Sequence, residues 1–167
     1  MDGPIEKLVT RKRDIVDVLS IILVITAATV FMMIILAFNF FTEYVSLVFA
    51  ALLFFVTKFI FSRNIEFEYS YFDGDLEIDK IINKKKRKRV ALVSVKDFEV
   101  FGPQAAFVKV TSVPQQTIYC CSYPSSKENY FFIANYNSKK TVFYFEPNEQ
   151  IIKDILRRAP QKLIKGE

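Results

Sequence analysis

Two long apolar segments near the start of the chain constrain the fold more than any other feature of the sequence. Residues 18–41 carry no charged side chain, and residues 44–61 carry a single one, Lys58. As α-helices, at about 1.5 Å per residue, they would extend over about 36 Å and about 27 Å, close to a hydrocarbon core of about 30 Å. Only Thr42 and Glu43 separate them. The sequence therefore predicts two transmembrane helices in a tight antiparallel hairpin. The first is too long for the apolar core of a signal peptide, which spans about 7–15 residues.

Basic residues lie only on one side of this predicted hairpin. The turn between the two segments contains Glu43 and no lysine or arginine. Six basic residues lie at or near the two outer ends: Lys7, Arg11, Lys12, Arg13, Lys58 and Arg63. Because the cytoplasmic flanks of membrane helices carry the excess of lysine and arginine, both termini are predicted to be cytoplasmic. We therefore expect a multi-pass protein of the plasma membrane, with residues 64–167 on its cytoplasmic side.

The pattern of apolar residues changes at Asn64 from a continuous run to alternation, which is typical of half-buried strands. Residues 65–71 and 75–81 alternate in this way, and Asp73-Gly74 lies between them. This dipeptide tolerates the positive φ angles of a two-residue hairpin turn. The resulting register would place three pairs opposite each other: Tyr71 with Leu76, Tyr69 with Ile78, and Glu68 with Asp79. The last pair joins two like charges, which repel each other.

Further strands and one helix are predicted in the remainder of the chain. Strands are expected at residues 88–95, 98–102, 117–123, 130–136 and 140–145, because turn-forming residues separate these segments. The connection between Gly102 and Gln116 leaves room for one short extra strand. A helix is expected over about residues 147–158, where four apolar residues form one stripe: Ile151, Ile152, Ile155 and Leu156. Residues 64–167 are therefore predicted to fold on their own as a β-rich domain.

This order of elements, with seven short strands followed by one helix, resembles the pleckstrin-homology (PH) superfold. The stretches EYSYFDGDLEIDKIINKKKRKRV (68–90) and FYFEPNEQIIKDILRR (143–158) resemble small bacterial membrane proteins of unknown function. Those proteins join an N-terminal two-helix membrane hairpin to a cytoplasmic PH-like domain. The resemblance implies an α+β fold, with an N-terminal tail and a two-helix transmembrane hairpin in residues 1–63 and a PH-like domain in residues 64–167. That domain would be an antiparallel sandwich or barrel of about seven strands with a C-terminal helix.

Six consecutive basic residues follow the second predicted strand: Lys84, Lys85, Lys86, Arg87, Lys88 and Arg89. Without them the formal net charge of +5 would become −1. Beside a membrane anchor they would meet the anionic cytoplasmic leaflet, where each basic residue contributes on the order of 1 kcal/mol. We therefore take these six residues as candidate contacts for anionic lipid headgroups. The alternatives are a solvated turn, an acidic protein partner, and neutralisation of the carboxylates between Glu66 and Asp79.

Two observations narrow what this basic run could bind. No aromatic residue for base stacking lies between Lys84 and Arg89, so nucleic acid is disfavoured as a partner. In phosphoinositide-binding PH domains the basic cluster belongs mainly to the first hairpin, whereas here it falls in the second turn. The resemblance therefore carries over no headgroup specificity.

The residues of catalytic and metal sites are scarce in this sequence. The chain has no histidine, which removes the commonest general base and metal ligand. Cys120 and Cys121 are neighbours on a predicted strand and would point to opposite faces, one buried and one partly exposed, so no disulfide between them is expected. Four carboxylates at a spacing of two line a strand without converging on an ion: Asp73, Asp75, Glu77 and Asp79. We therefore expect no catalytic residue, no cofactor and no metal.

Together these features predict a non-enzymatic, membrane-anchored interaction or adapter module. The helix pair would hold a PH-like domain at the cytoplasmic membrane face, and the basic turn would contact anionic lipid. A protein partner of unknown identity is expected at a strand edge or loop. One alternative is an accessory subunit of a larger membrane complex; a second is an enzyme, for which no acid, base and nucleophile converge.

Overall fold

The structure is a computed structural model that describes residues 3–37, 44–110 and 113–164. The chain divides into two compact units. One contains Lys12–Asn64, and the other combines the N-terminal residues up to Arg11 with the chain from Ile65 onward.

Two helices form the first unit, α1 at Ile15–Ala37 and α2 at Val45–Ser62. Their mean hydropathies are 2.8 and 2.2, and both are long and apolar enough to cross a membrane. The first helix begins at Ile15, three residues earlier than predicted, and its first backbone hydrogen bond runs from Val18 N to Asp14 O at 3.1 Å. Asp14 Oδ1 also accepts a hydrogen bond from Ile15 N at 2.7 Å. The predicted turn at Thr42 and Glu43 lies outside the described residues.

The outer ends of the two helices are joined by polar contacts. Asp17, in the first turn of α1, lies 3.3 Å from Nη1 of Arg63, which follows the last residue of α2. The Arg13 guanidinium donates to Oδ1 of Asn64 at 2.8 Å. An acidic residue at a helix start and a basic residue at a helix end also favour the helix dipoles. The basic residues that predicted the orientation of the hairpin therefore also hold its two ends together.

Two four-stranded sheets form the core of the second unit. The first sheet has the order β1–β2–β3–β4, at Ile5–Thr10, Ile65–Phe72, Asp75–Ile82 and Lys86–Ser94. The second sheet has the order β5–β7–β8–β6, and in chain order its strands are Phe98–Pro103 (β5), Gln116–Tyr119 (β6), Tyr130–Tyr136 (β7) and Lys139–Phe145 (β8).

The predicted first hairpin is confirmed in both its turn and its register. Asp73 and Gly74 have φ angles of 48° and 90°, as a two-residue primed turn requires. All three expected pairs face each other: Tyr71 with Leu76, Tyr69 with Ile78, and Glu68 with Asp79. The alternation of apolar residues therefore places the aromatic side of β2 in the core and its carboxylates on the outer face of the first sheet.

The N-terminal strand β1 was not predicted. Ile5–Thr10, expected to belong to an N-terminal tail, pairs antiparallel with β2 and extends the first sheet at its edge. Val9 on its inward side is buried with the core residues. Lys7 occupies another inward-facing position of the same strand, so the segment lacks the clean alternation that would have indicated a strand. The β domain thus draws one strand from the residues that had been assigned to the membrane hairpin.

The connection between β5 and β6 also differs from expectation. Gln104–Lys109 form a 3₁₀-helix, whereas the sequence left room for a short extra strand there, and β6 then runs parallel to β8 rather than antiparallel. The connection from β5 to β6 joins the two edges of the sheet, and it packs Ala106, Phe107 and Val110 over the outer face of the second sheet. The second sheet is consequently apolar on both faces, and both Cys120 and Cys121 are buried.

The C-terminal helix α3, at Glu149–Arg158, is confirmed and closes the core. It begins after Asn148, whose side chain accepts a hydrogen bond from Ile151 N at 2.8 Å, so Pro147 precedes the helix. Ile151 and Ile155 are buried in the same cluster as the inward-facing aromatic residues of both sheets: Tyr69, Tyr71, Phe98, Phe101, Phe132, Phe143 and Phe145. The predicted apolar stripe is therefore the face that docks.

Candidate functional site

The basic run occupies the second hairpin turn and the first part of β4. Asn83 and Lys84 have φ angles of 52° and 54°, and Lys85 N donates to Ile82 O at 3.2 Å. This is again a two-residue primed turn, for which Asn-Gly is the favoured sequence. A non-glycine residue held in the left-handed region costs about 1–2 kcal/mol. A lysine therefore stands at the tip of the hairpin, where turn stability alone would favour glycine.

A bulge in β4 decides which way the arginines point. The register between β3 and β4 shifts at this point, so that Ile78 lies opposite Ala91 while the next residue, Asp79, lies opposite Arg89. Val90 is the extra residue. In a regular strand residues two apart share a face, so Arg89 would lie on the inward face with Ala91. The bulge therefore turns the arginines to the outer face of the sheet, where the carboxylates of β2 and β3 lie.

Arg87 and Arg89 are both engaged by those carboxylates. Arg87 Nη2 lies 2.5 Å from Oε2 of Glu68, and its Nη1 lies 3.7 Å from Oδ2 of Asp79. Arg89 Nε donates to Oε1 of Glu77 at 2.8 Å. The repulsion expected between Glu68 and Asp79 is thus offset by a shared guanidinium. Neutralisation across strands, one of the alternatives for the basic run, accounts for its two arginines.

The four lysines of the run behave differently. Lys84, Lys85, Lys86 and Lys88 are exposed, and the structure gives them no ion pair within the residues that it describes. They form one group of positive charge in the turn of the β3–β4 hairpin and in the first part of β4. We call this group the lysine tip.

The lysine tip lies at a defined end of the first sheet. Ile65, the first residue of β2, pairs with Ile82 just before the turn, and Thr10, the last residue of β1, pairs with Glu66. The two chain segments that lead to α1 and α2 therefore leave the sheet at the end that carries the lysine tip. The Asp73-Gly74 turn and α3, whose Arg158 contacts Asp73, lie at the opposite end.

In the described part of the chain both cysteines are buried, and three of the four carboxylates of the first hairpin form ion pairs. Burial raises the pKa of the Cys120 thiol to about 12 and that of Cys121 to about 11, so both stay protonated and unreactive near neutral pH. The carboxylates of the first hairpin diverge: Asp73 contacts Arg158, whereas Glu77 and Asp79 contact Arg89 and Arg87. The described residues contain no group of three or more potential ligands placed to hold a metal ion.

Sequence reasoning named all six residues of the basic run but could not divide them. The division depends on the bulge at Val90, which a stretch of consecutive charged residues does not reveal. The sequence did offer one signal for the position of the turn, the dipeptide Asn83-Lys84, because asparagine between two strands indicates a primed turn.

A comparison with protein-family models matches residues 1–165 to the family described as Bacterial PH-like domain (DUF6106). Searches among curated proteins and among solved structures give no significant match. The match covers the apolar helices, both sheets and the C-terminal helix, in agreement with the resemblance seen in the sequence. The chain therefore belongs to the bacterial PH-like domain family DUF6106.

Proposed function

We propose that the protein is a non-enzymatic, membrane-anchored interaction module whose lysine tip contacts anionic lipid at the cytoplasmic membrane face. PH-like domains are generally non-catalytic, and the described residues offer no converging acid, base and nucleophile. The observation that carries the proposal is the lysine tip itself: four exposed lysines that have no carboxylate partner among the described residues, at the sheet end from which both membrane-leading segments depart.

Chain length supports lipid as the partner of the lysine tip. β2 begins at Ile65, three residues after the end of α2 at Ser62. An extended chain covers at most about 3.6 Å per residue, so Ile65 stays within about 11 Å of the helix end. The Debye length is about 8 Å at physiological ionic strength, so the lysines attract an anionic surface once they come within about that distance of it. The covalent anchor supplies the proximity that a free domain would have to gain through affinity.

The energetics favour general attraction to anionic lipid over recognition of one headgroup. At about 1 kcal/mol for each basic residue near an anionic leaflet, four lysines contribute on the order of 4 kcal/mol. Lysine is a flexible point charge without the planar fork that makes arginine selective for bound phosphates. We therefore expect the lysine tip to orient the domain on the membrane and to leave another surface for a protein partner.

The topology can be tested by cysteine labelling, because the native cysteines are buried and give little background. Lys127→Cys, in an exposed loop of the β domain, should be protected from a membrane-impermeant maleimide in intact cells and labelled after permeabilisation. Tyr44→Cys, just before α2, should be labelled from outside. Labelling of Lys127→Cys in sealed cells would overturn the cytoplasmic placement.

The lipid contact can be tested on the full chain in lipid nanodiscs by hydrogen exchange of the segment 83–89. We define the protection ratio as the exchange rate in neutral nanodiscs divided by that in nanodiscs containing anionic lipid. The ratio should be several-fold above one at low salt and should approach one at about 0.5 M salt, because the Debye length falls to a few ångströms. Replacing Lys84, Lys85, Lys86 and Lys88 by glutamine should bring the ratio to one at any salt concentration.

A matched control removes the same charge from elsewhere on the β domain. Lys96, Lys127, Lys139 and Lys153 are exposed and lie outside the basic run. Their replacement by glutamine should leave the protection ratio at the wild-type value. If the wild-type ratio is one at low salt, the basic run is a solvated turn and the lipid contact is refuted.

A further inference from the structure

On the outer face of the first sheet, two arginines lie beside the lysine tip. Both form ion pairs with carboxylates, three in all. The Arg87 and Arg89 side chains remain 59% and 58% exposed, so neither is enclosed by its ion pair. The carboxylates beneath them are more covered, with side-chain exposures of 29% for Glu77, 20% for Glu68 and 10% for Asp79. Each guanidinium thus contacts carboxylate on the side that faces the sheet and remains exposed to solvent on the other side.

We propose that Glu77, Glu68 and Asp79 act as internal competitors of the anionic headgroup, and so limit the affinity of the hairpin for the membrane. This inference rests on the proposed lipid contact. A carboxylate and a lipid phosphate both accept the paired N–H donors of a guanidinium, and one fork cannot satisfy both at full strength. When a carboxylate is neutralised, the arginine that it contacted therefore becomes available to bind a lipid phosphate.

The ion pair with a carboxylate and the attraction to an anionic leaflet are of similar strength. An exposed ion pair changes an equilibrium by a factor of up to about five, and a basic residue beside an anionic leaflet contributes a similar factor. Neither the carboxylate nor the lipid headgroup therefore binds the guanidinium much more strongly than the other. The two arginines differ in this respect, since Arg87 is shared by two carboxylates and Arg89 is held by Glu77 alone. Arg89 is accordingly the residue that a single substitution should release.

The test is a double-mutant cycle on the full chain in nanodiscs that contain phosphatidylglycerol or only phosphatidylcholine. Glu77→Gln keeps the shape of the side chain and removes the charge that holds Arg89. It should raise the protection ratio of segment 83–89 by up to about fivefold at intermediate salt. The same substitution in an Arg89→Gln background should raise it much less, because no guanidinium remains to be released.

Glu66→Gln is the matched control. Glu66 lies on the same face of β2, and the structure gives it no ion pair among the residues it describes. Its substitution removes one negative charge near the lysine tip without releasing an arginine, so its effect should be the same in both backgrounds. If Glu77→Gln also acts equally in both backgrounds, the carboxylates act only through their field and the inference fails while the lipid contact stands. If the wild-type protein shows no difference between the two nanodiscs, the lipid contact and this inference fail together.

Discussion

Replacing Ile155 by aspartate should destabilise the β domain by about 4 kcal/mol, because it combines loss of a buried side chain with burial of a charge. Ile155 is 1% exposed and lies in the core cluster that joins both sheets to α3. Its neighbours are apolar and aromatic, so an introduced carboxylate would find no donor there. The variant should either protonate its carboxyl group or release α3 from the sheets.

Hydrogen exchange of β7 and β8 measures this loss in the full chain, since these strands report opening of the domain independently of the membrane helices. Exchange of their amides should accelerate by about three orders of magnitude, at roughly 1.4 kcal/mol for each factor of ten. Gln150→Asp, at an exposed position of the same helix, is the matched control and should leave exchange unchanged. Equal exchange in the two variants would mean that α3 is not docked in solution.

The elements that the sequence predicted correctly are those determined by neighbouring residues. Asp73 and Gly74 adopt the positive φ angles of a two-residue turn, and this turn determines the register between β2 and β3. The stripe of α3 is a local period, and Pro160 follows shortly after its last residue, Arg158. These patterns extend over only a few neighbouring residues, so they can be recognised in one amino-acid sequence.

The elements that were missed depend on residues far apart in sequence. β1 is a strand because β2, more than fifty residues later, offers it an edge. The direction of β6 follows from the connection after β5, in which apolar residues between Gln104 and Val110 cover the second sheet. Their spacing did not show that they form a cover rather than another strand. Short edge strands and crossovers take their conformation from the surfaces they pack on.

The candidate site shows the same limit at the scale of one residue. Lysine and arginine alternate late in the basic run, and nothing in their order shows which of them meets a carboxylate. One extra residue, Val90, sets this by turning Arg87 and Arg89 toward Glu68, Asp79 and Glu77. The sequence thus located the basic run, whereas its division into arginines with carboxylate partners and lysines without one among the described residues needed the register.

A fragment of residues 64–167 should be less stable than the same fragment joined to residues 3–11. Six residues of β1 pair with β2, and Val9 is buried in the core. Burying a valine side chain contributes about 1.5–3 kcal/mol, so the joined fragment should be more stable by at least about 1.5 kcal/mol. Arg11 N donates to Ile65 O at 2.9 Å, so a short Gly-Ser linker can replace residues 12–63.

Urea denaturation followed by far-ultraviolet circular dichroism compares the two fragments, and two variants of the joined fragment identify the cause. Val9→Asp places a charge in the core and should lower the midpoint to that of residues 64–167 alone. Leu8→Asp alters the adjacent outward residue, which is 56% exposed, and should leave the midpoint unchanged. Without β1, the backbone of β2 becomes an open edge, and the shorter fragment should also self-associate in sedimentation experiments. Equal midpoints and a monomeric short fragment would show that β1 leaves the sheet in solution. The strand that continues into α1 would then be a tether and not part of the domain.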